Sequence, residues 1–209
     1  MKILKDKFDK SLIHDLPKVS FDGSIYVIIS ENEAERAVNY LLKQDILGFD
    51  TETRPSFQKG KGMNKVALLQ VATDHECFLF RLNHIGLPDC VKRLLSDTQV
   101  TKIGLSWHDD LNQLRRRSDF SAGTFVELQT FVKEFGIEDM ALQKLYANIF
   151  GQHISKSQRL TNWEADNLTE AQQRYAATDA WACVKMYIEL MRLKCTGDYV
   201  IDRVDAEEE

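Results

Sequence analysis

Asp50-Thr51-Glu52 closes the apolar run Ile46-Leu47-Gly48-Phe49, and alternation along a strand sends residues 50 and 52 to the same face. Two carboxylates side by side at a strand end suit cation binding and acid-base chemistry. With 32 acids in 209 residues, chance alone yields about five acid-x-acid pairs, so the strand-end position is what singles this one out. Asp109-Asp110 follows a second short apolar run, Lys102-Ile103-Gly104-Leu105, at a point where a helix is expected to begin. Asp109 is expected to serve as the N-cap of that helix. Tyr175 and Asp179, in Tyr175-Ala176-Ala177-Thr178-Asp179-Ala180, lie one turn apart on one helical face. Taken alone, that pair reads as a core tyrosine whose hydroxyl is satisfied by a nearby acid.

These residues need a scaffold that gathers them, and the hydrophobic pattern supplies one. Ile25-Tyr26-Val27-Ile28-Ile29 is a β-rich run, after which Ser30 can cap a helix through Ala34, Val38, Leu41 and Leu42. Ile46 to Asp50, Val66 to Val71 and Cys77 to Phe80 are three successive strands, the last two close enough to form a hairpin. Helical patterns at Leu87 to Leu95 and Leu111 to Leu114 alternate with short strands at Lys102 to Leu105 and Thr124 to Leu128. After Gly136 the pattern is helical, ending in a long helix that Thr169 caps and that runs through Tyr175, Asp179, Tyr187 and Leu193. The expected architecture is α/β, a mixed central sheet flanked by helices on both faces. It divides into an N-terminal arm over 1–22, one domain over 23–195 and an acidic C-terminal tail over 196–209.

Composition narrows the function classes. A chain with 44% hydrophobic and 28% charged residues, 10 Gly and 3 Pro is neither disordered nor collagen-like. The longest apolar runs fall far short of the roughly 20 residues a membrane helix needs. Charges scattered through Met1 to Lys10 do not match a secretory leader. Cys77, Cys90, Cys183 and Cys195 match neither a zinc ribbon nor a disulfide framework, and they are expected to be reduced and mostly buried. An intracellular, cytoplasmic protein is expected, or a nuclear one in a eukaryotic source. The net charge of −5 argues against a general nucleic-acid sponge. It leaves room for an enzyme whose clustered acids bind cations while local basic loops hold phosphates.

In order and context, Asp50, Glu52, Asp110, Tyr175 and Asp179 resemble the motifs of the DEDD exonuclease superfamily, tyrosine subtype. The likeness extends through Lys65-Val66-Ala67-Leu68-Leu69-Gln70, Phe125-Val126-Glu127-Leu128 and Leu168-Thr169-Glu170, which look like the Werner-type and ribonuclease D-type exonuclease domains. It covers roughly residues 24 to 194. The resemblance implies a ribonuclease H-like fold with a five- to six-stranded mixed sheet. It also implies a 3′-5′ exonuclease that releases nucleoside 5′-monophosphates with two Mg²⁺ or Mn²⁺ ions. Asp50 would bridge both ions, Glu52 and Asp179 would complete one, Asp110 would hold the other, and Tyr175 would orient the attacking water. Four carboxylates brought together repel, each pair by about 4 kcal/mol at roughly 4 Å and an effective dielectric near 20, and a cation removes that penalty. His108 is a rival base, but the histidine subtype carries its His in the last motif, so His108 is read as solvent-facing.

Lys61 and Lys65, in the glycine-rich loop after the catalytic strand, and Lys156 and Arg159, ahead of the last helix, are candidate phosphate contacts. Trp163 is expected in the core, and Arg115-Arg116-Arg117 on a solvated face. Asn167 stands where the resembling families often carry proline. The expected substrate is a single-stranded or recessed 3′ end of DNA, with RNA trimming or a non-catalytic nucleic-acid scaffold as alternatives. A phosphatase built on Asp-x-Asp-x-Thr fails, because position 52 is Glu and position 54 is Arg.

Overall fold

The computed structural model describes residues 1–56 and 64–203. In chain order its elements begin with β1 (Lys2–Lys5), β2 (Lys18–Val19), β3 (Ser24–Ile28), α1 (Glu31–Leu41), β4 (Ile46–Thr53), β5 (Val66–Ala72), β6 (Glu76–Arg81), α2 (Leu82–Ile85) and α3 (Asp89–Ser96). They continue with β7 (Thr101–Gly104), α4 (Trp107–Arg115), β8 (Phe125–Glu127), α5 (Leu128–Phe131), α6 (Leu142–Phe150), β9 (His153–Ile154), α7 (Glu170–Thr196) and β10 (Tyr199–Asp202).

The central sheet has six strands in the order β3-β6-β5-β4-β7-β8. β4, β5 and β6 are antiparallel neighbours, whereas β3, β7 and β8 join in parallel. β5 is buried at every position, which explains its unbroken apolar reading apart from Gln70. Leu47, Phe49, Leu69, Val71 and Phe80 face a core shared with Val38 and Leu41 of α1 and with Val91 and Leu94 of α3. Leu68, Ala72, Leu79 and Ile103 face the opposite core, beneath Ala176, Ala177 and Ala180 of α7. Each large aliphatic side chain buried this way contributes about 1.5–3 kcal/mol.

Two helix starts follow their local sequence. Ser30 and Glu33 form a reciprocal capping box on α1, and Thr169 and Gln172 form another on α7. α7 lies hard against β4: a Cβ on Gly48 would come within 1.9 Å of the Ala180 carbonyl oxygen. Glycine at 48 therefore sets how near the helix can bring its side chains to the strand.

Three expectations need correction. Within 196–209, residues Tyr199–Asp202 form β10, paired in parallel with β1, because Tyr199 and Ile201 pack against the core. The stretch after Gly136 is not all helical, since β9 pairs with β2 and draws Lys18–Val19 onto the domain. Arg117 is not simply solvated; its Nε donates to the Val66 carbonyl at 2.6 Å, and Arg115 Nε donates to the Phe120 carbonyl at 3.2 Å. Trp163 is fully buried, Cys77, Cys90 and Cys183 are buried, and Cys195 is exposed. Among the described residues, no helix is long and apolar enough to cross a membrane.

Candidate active site

Asp50 and Glu52 project from β4 toward α7, where Asp179 meets them. One ligand oxygen from each of Asp50, Glu52 and Asp179 lies within 4.8 Å of the other two. Two features of the sequence make this meeting possible: alternation along β4 and the bare backbone at Gly48. The donors are all carboxylate oxygens, hard ligands that match a hard divalent cation. This trio is a candidate divalent-metal centre.

Asp110 arrives differently. Its Oδ1 accepts a hydrogen bond from Thr51 Oγ1 at 2.6 Å, so it is tied to the β4 residue between the two paired acids. It stands outside the tight trio, yet its charge is felt strongly by Asp50. Asp109 is not the cap of α4. Ser106 holds that place in a left-handed conformation (φ 61°), and the carboxylate of Glu127 accepts from Ser106 N at 2.9 Å and Trp107 N at 3.1 Å. Glu127, at the end of β8, thereby fixes the helix start that carries Asp110. The signal for it was present as an acid ending the short β run Phe125-Val126, the same pattern that picked out Asp50 and Glu52. His108 is exposed and stacks on Trp107 with ring centroids 3.8 Å apart.

The trio lines a cleft of about 420 Å³ together with Tyr175, Ser155, Lys156 and Arg159. The Tyr175 hydroxyl lies beside Asp179 and lowers the proton affinity of that acid, and its ring centroid is 6.0 Å from that of Trp163. The Trp163 segment is itself pinned. Arg81 donates to the carbonyls of Ala165 and Asp166, and Gln172 Nε2 donates to Thr161 Oγ1 at 3.0 Å. These contacts order the stretch that contains Asn167. Lys65 is exposed just before β5 and does not line the cleft; Lys61 lies outside the described residues.

Burial raises the proton affinity of all four acids here, and neighbouring carboxylates add to it at Asp50, Glu52 and Asp110. Desolvation pushes Asp50 well above the usual carboxylate range, and Asp110, Asp179 and Glu52 push it further. Glu52 rises to about 9, chiefly by burial and then by Asp179 and Asp110, against a small pull from Arg159. Asp179 rises to about 7 by burial, opposed by the Tyr175 hydrogen bond and Lys156. Asp110 rises to about 7 by burial, opposed by the Thr51 hydrogen bond. Tyr175 is also pushed up, by burial first and then by Asp179 and Glu52, so its phenol stays protonated. Burial lowers the proton affinity of Lys156. Without a cation, the cluster is therefore partly protonated near neutrality.

A six-stranded mixed sheet with acids gathered under its last helix is the ribonuclease H-like exonuclease arrangement. Residues 26–193 match the 3′-5′ exonuclease family, and the chain belongs to it. It is similar to the mouse bifunctional 3′-5′ exonuclease/ATP-dependent helicase WRN, with 32% identity over 199 residues, covering 90% of this chain and 14% of the mouse protein. Among solved structures it resembles the Aedes aegypti Nibbler EXO domain, with TM-score 0.77 and 19% identity over 87% of this chain and 94% of that one. It also resembles Escherichia coli RNase D, with TM-score 0.73 and 20% identity over 83% of this chain and 46% of that one. The chain thus spans a small fraction of the mouse relative's length.

Proposed function

We propose that this chain hydrolyses phosphodiester bonds from the 3′ end of a nucleic acid, releasing nucleoside 5′-monophosphates. The observation that carries the proposal is the oxygen trio of Asp50, Glu52 and Asp179, within 4.8 Å on the floor of a cleft edged by Lys156 and Arg159. In this reading Asp50, Glu52, Asp110 and Asp179 would hold two Mg²⁺ or Mn²⁺ ions, which would supply Lewis-acid activation of water and charge neutralisation at the phosphoryl oxygens. Water adds to phosphorus, the bond to the 3′-oxygen of the preceding nucleotide breaks, and that oxygen gains a proton.

The chain's own groups position the reactants. Tyr175, beside Asp179, keeps its proton, so its hydroxyl orients a water rather than acting as a base. Thr51 and Glu127 hold Asp110 in place. Lys156 and Arg159 sit exposed beside the acids, placed to draw a phosphate backbone toward an otherwise repulsive floor.

DNA is the preferred substrate in this proposal, on the likeness of Lys65 to Gln70 and Leu168 to Ala180 to the Werner-type segments. RNA is the second reading, because the solved neighbour from Escherichia coli is described as an exoribonuclease involved in structured RNA processing. Matched 5′-labelled DNA and RNA oligonucleotides with recessed or single-stranded 3′ ends decide between them. The wild type with Mg²⁺ or Mn²⁺ should shorten the DNA faster, and Asp50→Ala should abolish cleavage of both. A wild type inert toward both polymers with either ion refutes the proposal and leaves a nucleic-acid scaffold.

A further inference from the structure

Gln70 is the one polar side chain on the all-buried strand β5, and it is fully buried at 0% exposure. Among the described residues, neither its Nε2 nor its Oε1 has a hydrogen-bond partner. An amide left unsatisfied inside a core costs roughly 1–3 kcal/mol, so a structural role alone does not account for it. Its register does. Gln70 pairs with Asp50 of β4 on one side and with Leu79 of β6 on the other. Directly opposed residues share a face, so the Gln70 side chain stands on the α7 side of the sheet with Asp50. Their Cβ atoms are about 4.5–5.5 Å apart by that pairing, within reach of a side chain with three rotatable bonds. Around them that face carries the apolar Leu68, Ala72, Leu79, Ala176, Ala177 and Ala180, together with Glu52, Asp179 and Arg81, the last already donating to the Ala165 and Asp166 carbonyls.

We propose that Gln70 is a positioning residue for Asp50: its Nε2–H donates to the Asp50 carboxylate when that group holds a divalent cation. A carboxylate that binds a cation keeps lone pairs to spare, and a fixed donor behind it would set the direction in which the remaining ones point. The neighbouring strand is a rigid place from which to do this. Gln70 is thus a cation-site residue that stands behind the acids and touches neither cation nor substrate. The inference rests on the metal-dependent reading above and assigns to this chain a determinant of its metal affinity.

The test separates the two. Gln70→Met keeps length and removes the amide. In EDTA this variant should melt at the wild-type temperature or higher, because an unsatisfied buried polar group has gone. By isothermal titration it should bind Mn²⁺ about tenfold more weakly, consistent with the loss of an outer partner of a ligand. Its cleavage rate should fall at low Mn²⁺ and recover toward wild type as Mn²⁺ is raised. A variant that melts lower and binds Mn²⁺ as tightly as the wild type overturns the inference, because Gln70 is then only packing. Should Gln70→Met fail to fold, the wild type still decides: the ¹⁵N-labelled Gln70 side-chain amide should shift and exchange more slowly when Mg²⁺ is added. A Gln70 amide that does not respond while the protein binds Mg²⁺ overturns the inference alone. Cation binding with a responding amide but without cleavage of any oligonucleotide overturns the exonuclease reading and leaves this inference standing.

Discussion

The two faces of the central sheet are built on different terms. Beneath α1 and α3, the face carrying Leu47, Phe49, Leu69, Val71 and Phe80 is apolar. Its buried cation, Lys102, is settled by the Asp97 carbonyl at 2.5 Å and by the Phe125 ring 5.1 Å away. Beneath α7, the same strands present Asp50, Glu52, Gln70 and Arg81, with Asp179 on the helix. One face stabilises the fold. The other stores repulsion that a cation can release, and it is held together by neighbouring alanines and by the first face.

That contrast predicts opposite responses to mutation. Asp179→Asn should lower cleavage about a thousandfold, roughly 4 kcal/mol of barrier, while raising or preserving the melting temperature in EDTA. Leu94→Ala, on the apolar face, should cost about 2–5 kcal/mol in urea unfolding and leave the rate per folded molecule unchanged. If Asp179→Asn destabilises the metal-free protein as much as Leu94→Ala does, the acid face is not a store of repulsion.

The pH response sharpens the same point. Glu52, Asp110 and Asp179 have folded proton affinities raised to about 9, 7 and 7 from ordinary values of 4.5, 3.8 and 3.8. The folded chain therefore holds more protons than the unfolded one. The contribution of these groups is fully present below about pH 4 and is lost as pH rises through 7 and toward 9. In EDTA, stability from this cluster should decline across that window. A divalent cation competes with those protons, so Mn²⁺ affinity should climb over the same range, with protons released on binding. Calorimetric titrations in buffers of different ionisation enthalpy measure that release directly.

The smallest effect belongs to the rim. Lys156 and Arg159 are exposed, so Lys156→Ala and Arg159→Ala should each raise KM several-fold with little change in kcat or stability. The slope of log affinity against log salt should flatten by about one for each contact removed. An unchanged salt slope removes these two residues from the substrate path.

Much of this was legible in the residues themselves. The strand alternation around Asp50 and Glu52, the Tyr175 and Asp179 turn, and the capping signals at Ser30 and Thr169 are local, and local rules suffice for them. What the sequence hid depends on partners far away in the chain. Asp109 looks like a cap, but Glu127 reaches across from β8 to take that role. Tyr199–Asp202 looks like the start of a solvated tail until β1 supplies a strand to pair with. Arg117 looks like one charge in a solvated run, yet it finds the Val66 carbonyl.

By itself, the sequence determined which residues carry charge, which face of each element they occupy and where the helices capped by Ser30 and Thr169 begin, because those follow from spacing and from side chains acting on neighbouring backbone. Only the tertiary structure decided that three of the acids meet, that Asp110 is reached through Thr51, and that Gln70 lies across the ladder from Asp50. Those distances depend on strand register and on how closely α7 settles on β4. Both are set by contacts between residues remote in the chain, foremost the bare backbone of Gly48 against Ala180.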